Sequence, residues 1–178
     1  MRRIFRRQIR KSLAANVPPI LREANFAVDK GEYGRAAELF EQLAQTADAR
    51  GGPRASLFHL KAGRARILAG QTQLGMPSLK RGLELLSQHK LFPQLQKAGS
   101  RVLRELNEQG LKNEATEIEL WLKSIILLSP AFETDLIPEE RPILPTHCPS
   151  CGAGLQPDEV QWLDDVTAEC AYCGSPVR

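Results

Sequence analysis

The chain has 178 residues, 42% of them hydrophobic and 25% charged, with a net charge of +3. This is the make-up of a folded protein with one sizeable core and a small added module, not of a disordered or fibrous chain. No apolar run approaches the roughly 18–20 residues of a membrane-spanning helix, and the basic start is not followed by the apolar block of a secretory signal. Its only four cysteines stand in two close pairs and are not scattered, which fits a reducing cytoplasm.

Charge is placed unevenly. Residues 1–12 carry six basic side chains and no acid, whereas residues 133–178 hold nine acids against Arg141 and Arg178. Met1, Phe5, Ile9 and Leu13 share one helical face, and Arg3, Arg6, Arg7, Arg10 and Lys11 cover the opposite one. Residues 1–16 therefore read as a basic amphipathic arm. Such an arm can lie on an anionic membrane surface, meet an acidic protein or touch RNA, and it can equally be a solvated terminus.

From residue 17 to 128 apolar residues recur at helical spacing, interrupted by glycine and proline. The pattern predicts a mainly α domain of about six helices over 18–30, 33–48, 53–70, 76–89, 93–109 and 112–128. Pro19, Pro53, Pro77 and Pro93 fall near proposed starts, where a missing amide hydrogen does no harm. Gly31, Gly70 and Gly110 follow proposed ends, the place for a left-handed cap, and they recur at 39 and 40 residues. A generic helical bundle without a groove is the plainer reading of the same pattern.

Residues 129–146 hold Pro130, Pro138, Pro142 and Pro145 around Glu139-Glu140, the composition of an extended tether. Beyond it, residues 147–178 form a second module. Cys148 and Cys151, then Cys170 and Cys173, make two Cys-x-x-Cys hooks eighteen residues apart, each able to turn two sulfurs toward one ion. Val160–Leu163 and Val166–Cys170 read as two short strands around an Asp164-Asp165 turn. Gly152 and Gly174, one past each hook, let the backbone curl around the sulfurs. A segment this short cannot bury enough apolar surface to fold alone, so a bound ion serves as its staple. Zinc is the expected ion, a closed four-sulfur site being structural with no open position for substrate. Iron in a redox centre and a redox dithiol are the other readings. His147 is a conceivable substitute ligand beside Cys148, while His59 and His89 read as ordinary helix residues.

Two resemblances rest on these residues. Ala24 and Ala27, Lys30-Gly31-Glu32-Tyr33, then Ala36, Phe40 and Leu43 resemble the tetratricopeptide helix-turn-helix repeat; units around Gly70 and Gly110 follow it more loosely, Gln71–Gly75 lengthening the middle turn. Cys-Pro-x-Cys-Gly and Cys-x-Tyr-Cys-Gly resemble the zinc-ribbon and rubredoxin-like knuckle family. The repeat resemblance implies a curved array whose first helices line a groove. In that register Asn25, Lys61, Arg64, Lys97, Arg101 and Arg104 face the groove as candidate partner-binding residues. Asn25, Lys97 and Arg101 are similar to a clamp for acidic peptide termini, with Leu21 and Lys61 departing from it. A solvated charged face is the bland alternative.

No nucleophile-base pair, phosphate-cradling loop or converging carboxylates stand out, so a non-enzymatic protein-interaction adaptor is the leading expectation. Similar pairings of tetratricopeptide repeats and a rubredoxin-like knuckle occur in a bacterial envelope-assembly scaffold. The ribbon itself, with five acids against Arg178 plus four thiolates, repels a phosphate backbone, and Trp162 with Tyr172 makes a thin stacking platform. The alternatives are a nucleic-acid-associated factor acting through the basic arm and a recruitment subunit of a protein-modification complex. The acidic tail, tethered to a basic helical surface, is also a candidate to bind within its own chain.

Overall fold

The computed structural model describes residues 17–52, 54–127, 143–156, 160–162 and 166–178. The N-terminal arm, Pro53, the Asp164-Asp165 turn and most of the proline-rich tether lie outside the described residues. Among the described residues there are six helices, α1 Pro19–Asp29, α2 Tyr33–Ala49, α3 Ala55–Leu68, α4 Thr72–Gln88, α5 Phe92–Glu108 and α6 Lys112–Leu127. Three two-residue strands follow, β1 Gln161–Trp162, β2 Ala168–Glu169 and β3 Pro176–Val177. The mainly helical class with a small β module is as the sequence predicts.

Five of the helices end in the same turn. At Gly31, Gly51, Gly70, Lys90 and Gly110 the backbone enters the left-handed region, with φ between 57° and 75°. At each, the residue's amide bonds the carbonyl three back and the next amide bonds the carbonyl five back, as in Gly70 N to Ile67 O and Gln71 N to Arg66 O. This is the Schellman closure, which satisfies carbonyls that the helix leaves open. The turns recur every 19 or 20 residues, twice as often as the three glycines picked out from the sequence suggest. Gly51 and Lys90 are the two that reasoning missed, the second because lysine is an unexpected occupant of a left-handed position.

One helix start also differs from expectation. α4 begins at Thr72, so Gln71–Gly75 is no lengthened turn and Pro77 sits inside the helix. Tertiary packing overrides the proline. Gly75, Met76, Leu79, Gly82, Leu83 and Leu86 form one buried face, while Pro77 and Gln73 are both exposed, leaving to solvent the carbonyl that proline cannot bond. Pro19 and Pro93, by contrast, do occupy first-turn positions.

The chain divides into two compact units, with one boundary between Leu39 and Phe40 inside α2 and the other between Leu136 and Ile137. α1 and the start of α2, which the sequence groups with the other helices, belong to the same unit as the cysteine module. In that first unit Leu21, Ala24 and Ala27 of α1 and Ala36 and Ala37 of α2 are buried. The second unit has a continuous core of α3 to α6, with Leu79, Leu83, Leu95, Leu106 and Ile118 at its centre. α3 and α4 approach closely because glycines face each other's helix. A Cβ on Gly82 would lie 2.9 Å from the Ser56 carbonyl oxygen, and one on Gly63 2.8 Å from the Leu79 amide nitrogen.

Two stability measurements test this account. Lys90→Gly, at an exposed position with φ 57°, removes left-handed strain and is expected to raise stability by about 1 kcal/mol in a urea titration. Gly82→Ala forces α3 and α4 apart and is expected to cost roughly 1–3 kcal/mol in the same titration.

Candidate metal centre

Each hook folds as the same backbone knuckle. Gly152 N donates to Cys148 O and Gly174 N to Cys170 O, both at 2.8 Å, with φ of 71° and 73° at the two glycines. Nothing crowds a Cβ at Gly152, so its positive φ is what calls for glycine there. Each knuckle is then closed from behind, Cys148 N donating to Ala153 O and Cys170 N to Ser175 O. The strands support the second hook. β1 pairs antiparallel with β2, and β2 with β3, the last a strand not expected from the sequence. Leu144, from the end of the proline-rich segment, is buried, and the Leu155 amide donates to Thr146 O.

The result is one cluster. All four cysteines are buried and unbridged, and their sulfurs lie within 4.8 Å of one another. Cys148 Sγ stands 3.6 Å from Cys173 Sγ, and Cys151 Sγ 3.8 Å from Cys170 Sγ. A tetrahedral ion with metal–sulfur bonds of about 2.3 Å needs sulfurs about 3.8 Å apart, so the cluster fits a four-coordinate metal. Electrostatics agree with the geometry. The contact with Cys151 draws the Cys148 thiol down to about 6. Cys148 in turn heads the contacts that hold Cys173 far below the ordinary thiol range. Cys151 and Cys170 are pushed up, chiefly by their hydrogen bonds with Cys148 and further by burial. Four thiolates this close need a cation, and a metal that binds them displaces the remaining protons.

The two knuckles are not equivalent. Where the first has Ala153, the second has Ser175, 1% exposed, whose hydroxyl lies 3.1 Å from Cys173 Sγ and donates to the thiolate form. His147 is no ligand. It is exposed, and its Nε2 stands 3.4 Å from Asp29 Oδ1 of α1. Tyr172 is 1% exposed, which removes it as a stacking platform.

The candidate groove residues are distributed differently. Asn25 is buried and donates from Nδ2 to Cys151 O at 3.0 Å, so its side chain is committed inside the first unit. In the second unit Arg64 and Arg101 meet on one carboxylate, Glu105. Arg64 holds it with two hydrogen bonds, one of them Nε to Oε2 at 2.6 Å, and Arg101 Nε lies 3.5 Å away. Arg104 and Lys97 are exposed, Arg104 Nε being 4.0 Å from Glu108, and Lys61 is half-buried. A cavity of about 200 Å³ opens beside the Arg64–Glu105 pair, floored by Ile67, Leu79, Val102 and Leu106. Glu105 and this cavity were not legible in the sequence, since both depend on where α3 and α5 meet. His59 acquires a partner from the end of the preceding helix, Asp48 Oδ2 at 2.7 Å from its Nε2.

No family model, curated protein or solved structure matches this chain. No helix among the described residues is long and apolar enough to cross a membrane.

Removing the Ser175 hydroxyl that lies against Cys173 Sγ tests the centre directly. Ser175→Ala is expected to weaken metal affinity on the order of tenfold in competition with a chromogenic chelator, with the helical signal in circular dichroism unchanged.

Proposed function

We propose that the protein is a non-enzymatic adaptor, a tetratricopeptide-like helical scaffold carrying a structural zinc ribbon and acting in the cytoplasm. The observation that carries this reading is the closure of the sulfur cluster. Its four buried thiols match a saturated tetrahedral ion, which keeps no position for a substrate. Zinc suits a site with this shape-giving role, and iron is the other metal that four thiolates accept. The turn that recurs every 19 or 20 residues supports stacked helix-turn-helix units.

The partner we favour is an acidic peptide with an apolar side chain. Basic Lys61, Arg64, Lys97, Arg101 and Arg104 cluster on α3 and α5, and the cavity beside Arg64 has the size and apolar floor to take one such side chain. Because Arg64 and Arg101 already share Glu105, the exposed Lys97 and Arg104 are the cations readiest to meet a ligand carboxylate.

Anisotropy of a labelled acidic peptide with a free C-terminal carboxylate, titrated with the metal-loaded protein, checks this. Binding is expected, weakening with added salt and by about tenfold, or about 1.4 kcal/mol, in Lys97→Glu. Acidic peptides that fail to bind even at low salt would remove the reading.

A further inference from the structure

α1 touches the cysteine module at two points one helical turn apart. Asn25 donates to the carbonyl of Cys151, and Asp29 lies against His147. The two points bracket the first knuckle, since His147 immediately precedes Cys148 and Cys151 closes the hook. The Asn25 bond is buried and joins positions 126 residues apart in the chain. Its acceptor is not an arbitrary carbonyl. Cys151 O belongs to the peptide linking the ligand to Gly152, the residue whose φ of 71° gives the knuckle its curl. The position of this oxygen therefore depends on the knuckle being closed.

Beyond its Schellman closure and first-turn proline, α1 depends on what it packs against to stay helical. It has 11 residues, with Pro18 at its N-cap making no side-chain cap bond, no acid in its first turn and no base in its last. A helix of that length is marginal in water, and its order comes from packing. A buried amide that loses its acceptor costs about 1–3 kcal/mol, a large share of such a helix's stability.

We infer that Asn25 is a latch that couples metal occupancy of the cysteine cluster to the order of α1. Metal closes the first knuckle and presents Cys151 O; Asn25 bonds it and holds α1. When the ion leaves, the knuckle relaxes, the acceptor moves and α1 is released. The coupling is reciprocal, so the helix must also tighten the metal site by the factor with which the metal secures the helix. The chain thus carries a metal-sensitive switch whose output is α1, independent of whether its partner is an acidic peptide.

Hydrogen exchange on the full chain, metal-loaded against chelator-stripped under reducing conditions, reads the output without any substitution. Amides of α1 are expected to lose protection together with the cysteine module, while those of α3 to α6 keep theirs. Asn25→Ala, compared by chelator competition, is expected to weaken metal affinity by roughly 10–100-fold, as removal of an outer-shell partner does. Asn25→Gln, which keeps the amide on a longer arm, is expected to recover part of that loss. Unchanged α1 protection on stripping overturns the switch. Loss of protection with unaltered metal affinity in both variants overturns Asn25 as the latch, leaving the coupling to apolar packing alone.

Discussion

Four buried sulfurs held close enough to share one ion are the constraint on which the first unit depends. The sulfur cluster brings the two knuckles together, and the knuckles anchor the three two-residue strands, which are too short to hold a sheet by themselves. The thiol energetics express the same constraint. The hydrogen bonds among the sulfurs draw Cys148 and Cys173 down and push Cys151 and Cys170 up, with burial adding to the rise, so the four are balanced as a set and not one by one.

That demand extends past the cysteines. The same knuckle that orients Cys151 Sγ inward turns Cys151 O toward α1, where the Asn25 amide takes it. The compact unit therefore joins α1 to a module more than a hundred residues away in the chain, and one boundary between the units falls within α2, the other between Leu136 and Ile137 in the proline-rich segment. Asparagine serves here because its amide both donates and tolerates burial when bonded, whereas an alanine at the same place would leave the carbonyl without its donor.

The second unit is governed by close approach. Gly63, Gly75 and Gly82 let α3 and α4 approach closely, each glycine seated against the facing helix's backbone or its Leu60, Ile67 and Leu79 side chains, and the leucines of α4 to α6 fill the core behind. Within this frame two arginines converge on Glu105. A carboxylate holding two guanidinium groups orders both side chains before any ligand arrives, which lowers the entropy cost of recognition while reducing the free charge available for it.

Much of this was legible in the residues alone. The hook spacing picked out the four cysteines that cluster, because Cys-x-x-Cys geometry is local to a few peptide bonds. Apolar periodicity located six helices, because an amphipathic face repeats wherever a helix is half-buried. Glycines past three helix ends marked three of the five left-handed turns. What the sequence could not determine was set by contacts between distant segments. Lys90 is left-handed and Pro77 helical because packing outweighs local preference. Asn25 faces a cysteine knuckle and not a groove because a helix periodicity states which residues share a face, not what that face meets. Glu105 joins Arg64 to Arg101 only once folding brings α3 and α5 within side-chain reach across 41 residues of chain, a proximity that no one-dimensional pattern encodes.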